Sequence, residues 1–100
     1  SMKPLIYQVP LIEGSIFISY TDGIQAAGKK YGKEIDVDYL KKIIMENSAD
    51  DTDFIANTIL EYALNLDQNR AGDDMTIAVM SIRKKKTENK IKYVNVSYPY

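Results

Sequence analysis

Two short acidic motifs are the part of this sequence best suited to chemistry. Thr21-Asp22-Gly23 ends an apolar run, and Gly72-Asp73-Asp74-Met75-Thr76 begins another. Each motif places a carboxylate beside a glycine at a predicted strand end, where a side chain is exposed but firmly held. Two such carboxylates brought together would bind a hard cation such as Mg²⁺ or Mn²⁺, which takes oxygen ligands.

Each motif also has a purely structural interpretation. Aspartate and glycine commonly end strands and begin helices, because Asp caps free N–H groups and Gly permits positive φ. Taken singly, Asp22-Gly23 is best explained as such a strand end, and Gly72-Asp73-Asp74 as a turn from a loop into a strand. Only the order and spacing of the two motifs together favour a shared site.

Composition removes most competing chemistries. The chain has no cysteine and no histidine, so thiolate or imidazole metal sites, cysteine nucleophiles and Ser-His-Asp triads are excluded. Any catalysis must rest on carboxylates, lysine, tyrosine, hydroxyl groups or a bound metal. A net charge of −1 gives no argument for nucleic-acid binding, and the basic cluster at 83–92 is better explained as a solvated turn beside a sheet edge. No apolar run approaches the roughly 20 residues of a membrane span, which predicts a cytoplasmic protein without a membrane partner.

Hydrophobic periodicity predicts four strands and about three helices. Segregation of strands from helices along the chain favours an α+β fold, and the length favours a single domain over residues 3–97, with residues 1–2 as a cloning remnant. The predicted elements are an edge strand at 5–11, a strand at 15–20, a helical turn at 24–27, a helix from Asp36 or Asp38, a helix from 50–53, a central strand at 75–82 and a strand at 91–96.

On these motifs and elements the sequence resembles the metal-dependent protein phosphatases (the PPM or protein phosphatase 2C family), in particular the stage II sporulation protein E branch. In that family a strand ends in an aspartate-glycine motif after Thr or Ser, as in Ser19-Tyr20-Thr21-Asp22-Gly23. Helices follow, and a loop then delivers Asp-Asn or Asp-Asp into Met-Thr and a strand, as in Gly72-Asp73-Asp74-Met75-Thr76. The resemblance covers residues 14–82.

The resemblance implies a two-metal phosphatase site and part of a PPM-type β-sandwich of antiparallel strands flanked by about three helices. Asp22 and Asp73 match the metal-binding aspartates of the family, and Gly23 and Asp74 match positions that support the site. The implied cofactors are Mn or Mg. The implied reaction is hydrolysis of phosphoserine or phosphothreonine by a water that the two metals activate, a mechanism that needs no histidine or cysteine.

The family also uses an earlier aspartate-glycine motif, whereas Asp22-Gly23 is the only Asp-Gly in this sequence. The chain is therefore expected to be the C-terminal portion of such a domain, with little activity alone. Its expected partners are the missing N-terminal half of the domain or a second copy, and a phosphorylated protein substrate for the intact enzyme. The alternative is a non-catalytic interaction or regulatory module with the same fold segment, and a third interpretation is an α+β domain without a site.

Overall fold

The computed structural model describes residues 5–11, 14–47, 51–70, 72–84 and 89–99. In these ranges four strands form one antiparallel sheet in the order β1-β2-β3-β4, with β1 at an edge and β3 in the centre, as predicted, and with β2 also in the centre. Three α-helices and a short 3-10 helix lie between β2 and β3 in the sequence. The elements are β1 Leu5–Leu11, β2 Gly14–Tyr20, α1 Asp22–Gln25, the 3-10 helix Lys29–Tyr31, α2 Val37–Met45, α3 Thr52–Leu66, β3 Met75–Lys84 and β4 Asn89–Tyr98. The predicted α+β class with antiparallel strands is confirmed.

On the two central strands, β2 and β3, most side chains of the inner face are buried and those of the outer face are not. Strand alternation sends every second side chain inward, and β2 follows this rule with Ile16, Ile18 and Tyr20 almost fully buried. Ile77 and Val79 of β3 are buried in the same layer. This layer is the core on which the helices pack.

The helices bury their apolar stripes against this inner face. In α3, Ile55, Ile59 and Ala63 recur at helical spacing and are completely buried, as the sequence predicts. In α2, the side chain of Asp36 caps the first turn by accepting hydrogen bonds from the backbone N–H groups of Asp38 (3.0 Å) and Tyr39 (3.3 Å). Capping and burial together fix both helices on one side of the sheet.

On β2, β3 and β4, the outer-face side chains whose burial the structure describes are half-buried or exposed. The antiparallel registers place Phe17 opposite Met80 and Met80 opposite Tyr93, which makes an aromatic and apolar row across three strands. Phe17 and Met80 are half-buried, and Tyr93 is 62% exposed. No outer-face residue belongs to the buried core cluster of the described chain. The helices therefore cover one face and leave the other open.

Several boundaries differ from the sequence predictions. Helix α1 begins at Asp22 rather than at residue 24, so that aspartate starts a helix rather than ending a strand. Strands β3 and β4 extend beyond 75–82 and 91–96, because their antiparallel pairing continues from Met75↔Tyr98 to Lys84↔Asn89. Pairing between β3 and β4 extends both strands into segments whose own residues are mostly polar. No helix in the described ranges is long and apolar enough to cross a bilayer, and residues 1–4, which include the expected cloning remnant, lie outside them.

Candidate metal-binding junction

The two acidic motifs meet at one end of the β2–β3 pair. Strand β2 ends at Tyr20, which pairs with Ile77 near the start of β3. The residue after Tyr20, Thr21, therefore lies beside the first residues of β3. The backbone N–H of Thr21 donates to the carbonyl of Thr76 (3.1 Å). The Thr21 hydroxyl accepts from the N–H of Thr76 (3.1 Å) and donates to the carbonyl oxygen of Asp74 at 3.4 Å. Thr21 thus ties the first motif to the second through both backbone and side chain.

Gly23 brings the two motifs into direct backbone contact. A Cβ atom at this position would collide with the carbonyl oxygen of Asp74 and would lie 3.4 Å from the carbonyl oxygen of Asp73. Gly23 itself is buried. Here glycine is required because the neighbouring loop passes too close for any side chain.

The predicted metal ligands lie on the two sides of this contact. Asp22 is half-buried at the start of α1, whereas Asp73 and Asp74 are exposed on the loop before β3. The carboxylate of Asp73 accepts a hydrogen bond from the backbone N–H of Asp74 at 2.8 Å, which holds that side chain against its own loop. The two motifs are therefore adjacent in space, 51 positions apart in the sequence.

A buried aspartate that the sequence did not single out braces the same junction. Asp67 is 7% exposed and directly follows the last residue of α3. Its Oδ1 accepts from the backbone N–H of Gly28 (2.7 Å) and its Oδ2 from that of Gly72 (3.3 Å). One carboxylate thus links the turn after α1 to the loop that carries Asp73. Charge-assisted bonds of this kind are among the stronger ones in proteins.

The carboxylate oxygens at the junction are suitable ligands for a hard cation, but the ligand set is incomplete. Asp22 and Asp73 offer carboxylate oxygens, the ligands that Mg²⁺ and Mn²⁺ prefer. Among the residues that the structure describes, no group of three or more acidic, histidine or cysteine side chains is arranged to hold a metal ion. Asp22, at the start of α1, and Asp73, on the loop before β3, are the two predicted ligands that the junction brings to adjoining segments.

The meeting of an aspartate-glycine turn with an acidic loop-to-strand junction agrees with what the sequence resemblance to the metal-dependent protein phosphatases implies. Comparison with protein families agrees. The family model described as stage II sporulation protein E matches residues 2–83, so the chain belongs to that branch of the PPM phosphatases. No curated protein and no solved structure gives a match. Strand β4, from Asn89 to Tyr98, lies beyond the matched residues.

Proposed function

We propose that this chain supplies part of the active site of a metal-dependent phosphoprotein phosphatase. In this proposal Asp22 and Asp73 bind Mn or Mg, and Gly23 and Asp74 support them. Divalent cations held there would supply an acidified water as the nucleophile and positive charge for the phosphoryl oxygens. The substrate class is phosphoserine or phosphothreonine in a protein. The observation that carries the proposal is the direct packing of Gly23 on Asp73 and Asp74, together with the family match.

The chain by itself would bind metal weakly and have little activity. Two carboxylates leave most of a six-coordinate oxygen shell to water, and the affinity of such sites rises with the number of charged ligands. We propose that a further carboxylate comes from a segment outside these 100 residues. The partner that brings it would be the N-terminal half of the domain.

The open sheet face supports the same view of the partner. Phe17, Met80 and Tyr93 form an apolar row that no described helix covers. Exposed apolar patches of this kind commonly mark interaction surfaces. The rest of the domain, or a second copy of the chain when the rest is absent, would cover this row.

Titration with Mn²⁺ tests the metal proposal. Free Mn²⁺ has a strong paramagnetic resonance signal that binding broadens, so weak binding to the wild-type chain is measurable directly. We expect Asp22→Asn and Asp73→Asn each to remove most of the binding. Asp53→Asn is the matched control, because Asp53 is exposed in the first turn of α3, away from the junction. Equal binding by all four proteins, or none by the wild type, would contradict the assignment of these two ligands in this chain.

A further inference from the structure

A cleft with basic side chains opens directly beside the proposed metal ligands. It has a volume of about 150 Å³ and lies between the turn after α1 and the loop after α3. Gly23, Gly72 and Asp73 line it on the side of the metal junction. Lys30 and Arg70 line it as well, one from the 3-10 helix and the other from the loop before β3. Two cationic side chains from separate segments therefore converge on one cavity.

The charged side chains that line the cleft do not form salt bridges with one another. Lys30 and Arg70 are both exposed, and neither forms a salt bridge with any other residue that the structure describes. Asp67 also lines the cleft, but both of its carboxylate oxygens accept backbone N–H groups. Asp73 would have its charge compensated by a bound cation. The cationic residues that remain to interact with an anion at this cavity are then Lys30 and Arg70.

We propose that this cleft binds an oxyanion of the phosphoprotein substrate, either the phosphoryl group itself or a carboxylate side chain next to it. This inference rests on the proposed function. It adds that the substrate binds on the side of the metal junction where Lys30 and Arg70 lie. Arginine presents a planar fork of N–H donors to an oxyanion, and lysine adds a point charge. Their position next to Asp73 brings the anion within the reach of a metal held there.

The anion in the cleft and the cation on Asp73 should also strengthen each other's binding. An empty Asp73 repels an anion in the cleft, and a cation on Asp73 removes that repulsion. Because coupling between two binding sites is reciprocal, Mg²⁺ should tighten phosphate binding by the same factor as phosphate tightens Mg²⁺ binding.

The test is an NMR titration of the ¹⁵N-labelled chain with inorganic phosphate and, separately, with acetate, each with and without Mg²⁺. We expect phosphate to shift the amide signals of the loop around Arg70 and Gly72.

Lys30→Gln and Arg70→Gln should each weaken binding about three- to fivefold, the scale of one exposed charge contact. Lys29→Gln is the matched control, because the neighbouring Lys29 lines a different cavity, with Tyr20 and Glu34. Stronger binding of phosphate than of acetate would assign the cleft to the phosphoryl group, and the reverse order to a carboxylate.

The outcomes separate this inference from the proposed function. Absence of binding, or equal weakening by Lys29→Gln and the two cleft variants, overturns the inference whatever Mg²⁺ does. Binding that depends on Lys30 and Arg70 and is tightened by Mg²⁺ supports both proposals. Binding that depends on the two side chains, with no Mg²⁺ shifts at Asp22 or Asp73, supports the oxyanion cleft and counts against the metal site.

Discussion

The two faces of the sheet are built from similar residues but have different surroundings. The inner face presents Ile16 and Ile77, both completely buried beneath the helices. The outer face presents Ile91 and Tyr93, which are 61% and 62% exposed. Apolar character alone therefore does not decide which face becomes the core. The helices, which pack through their own apolar stripes, decide it.

The same contrast separates the proposed functional features. The metal junction and the brace by Asp67 involve α1 and the end of α3, which belong to the helix-covered side. These contacts are short and specific, with glycine where backbones touch. The outer face offers a broad apolar row without directional bonds. The covered side thus carries the proposed metal ligands, and the open side carries the surface proposed for association.

The largest expected difference between the faces is in the free energy of unfolding. Ile77→Ala would leave a cavity in a core that cannot fully collapse, at a cost of about 2–5 kcal/mol. Ile91→Ala removes the same atoms from an exposed position and should change stability by less than about 0.5 kcal/mol. Urea denaturation of both variants measures the contrast. Similar losses would mean that the outer face is buried in the protein in solution, for example in a dimer.

A smaller loss is expected from the brace between the two loops. Asp67→Asn keeps the shape of the side chain but turns one acceptor into an amide donor that faces a backbone N–H. We expect a loss of about 1.5–3 kcal/mol, the scale of hydrogen bonds to a charged group. Glu61→Gln, an exposed charge removal on the same helix, is the control and should be nearly neutral.

Amide hydrogen exchange at Gly28 and Gly72 locates the effect of Asp67→Asn. Faster exchange at both amides is expected if the carboxylate holds both loops. Unchanged exchange at these two positions would contradict the brace even if the protein were destabilised.

Local patterns in the sequence predict the buried faces of these elements, but not the contacts between them. The alternation in β2 and the helical spacing of Ile55, Ile59 and Ala63 are local patterns, and the structure confirms both. The meeting of the two acidic motifs was anticipated only through family resemblance. Within the chain, this meeting depends on the pairing of β2 with β3 across more than fifty residues.

Asp67 could not be identified from the sequence for the same physical reason. Its neighbours form a polar turn, and nothing local distinguishes a solvated aspartate there from a buried one. Its burial depends on Gly28, 39 positions earlier, whose N–H points at the carboxylate. Gly28 has φ of 86°, a conformation that favours glycine, so the glycine itself is the trace that this turn leaves in the sequence.

The close approach at Gly23 predicts the next effect in size. Gly23→Ala would force the loop at Asp74 to shift, at a cost of about 1–3 kcal/mol, as for overpacked sites in general. Gly72→Ala is the matched control on the facing motif, because a Cβ there meets no atom within 4 Å and the backbone N–H is kept. Thermal unfolding compares the two. Mn²⁺ affinity should fall with Gly23→Ala and hold with Gly72→Ala, and the opposite order would mean that the junction tolerates a wider spacing.

The smallest effect on stability, and the largest on association, is expected on the open face. Tyr93→Lys places a charge at the exposed β4 end of the Phe17–Met80–Tyr93 row, so the folded monomer should lose less than about 0.5 kcal/mol. If a second copy covers this row when the rest of the domain is absent, sedimentation velocity should show self-association of the wild-type chain that Tyr93→Lys abolishes.

The control is Tyr31→Lys, because Tyr31 is an exposed tyrosine in the 3-10 helix, away from the sheet. This variant should associate like the wild type. A wild-type chain that stays monomeric at every concentration would show that the row does not drive self-association and would leave the proposed domain half as its partner. Equal association of all three proteins would place the contact elsewhere on the molecule.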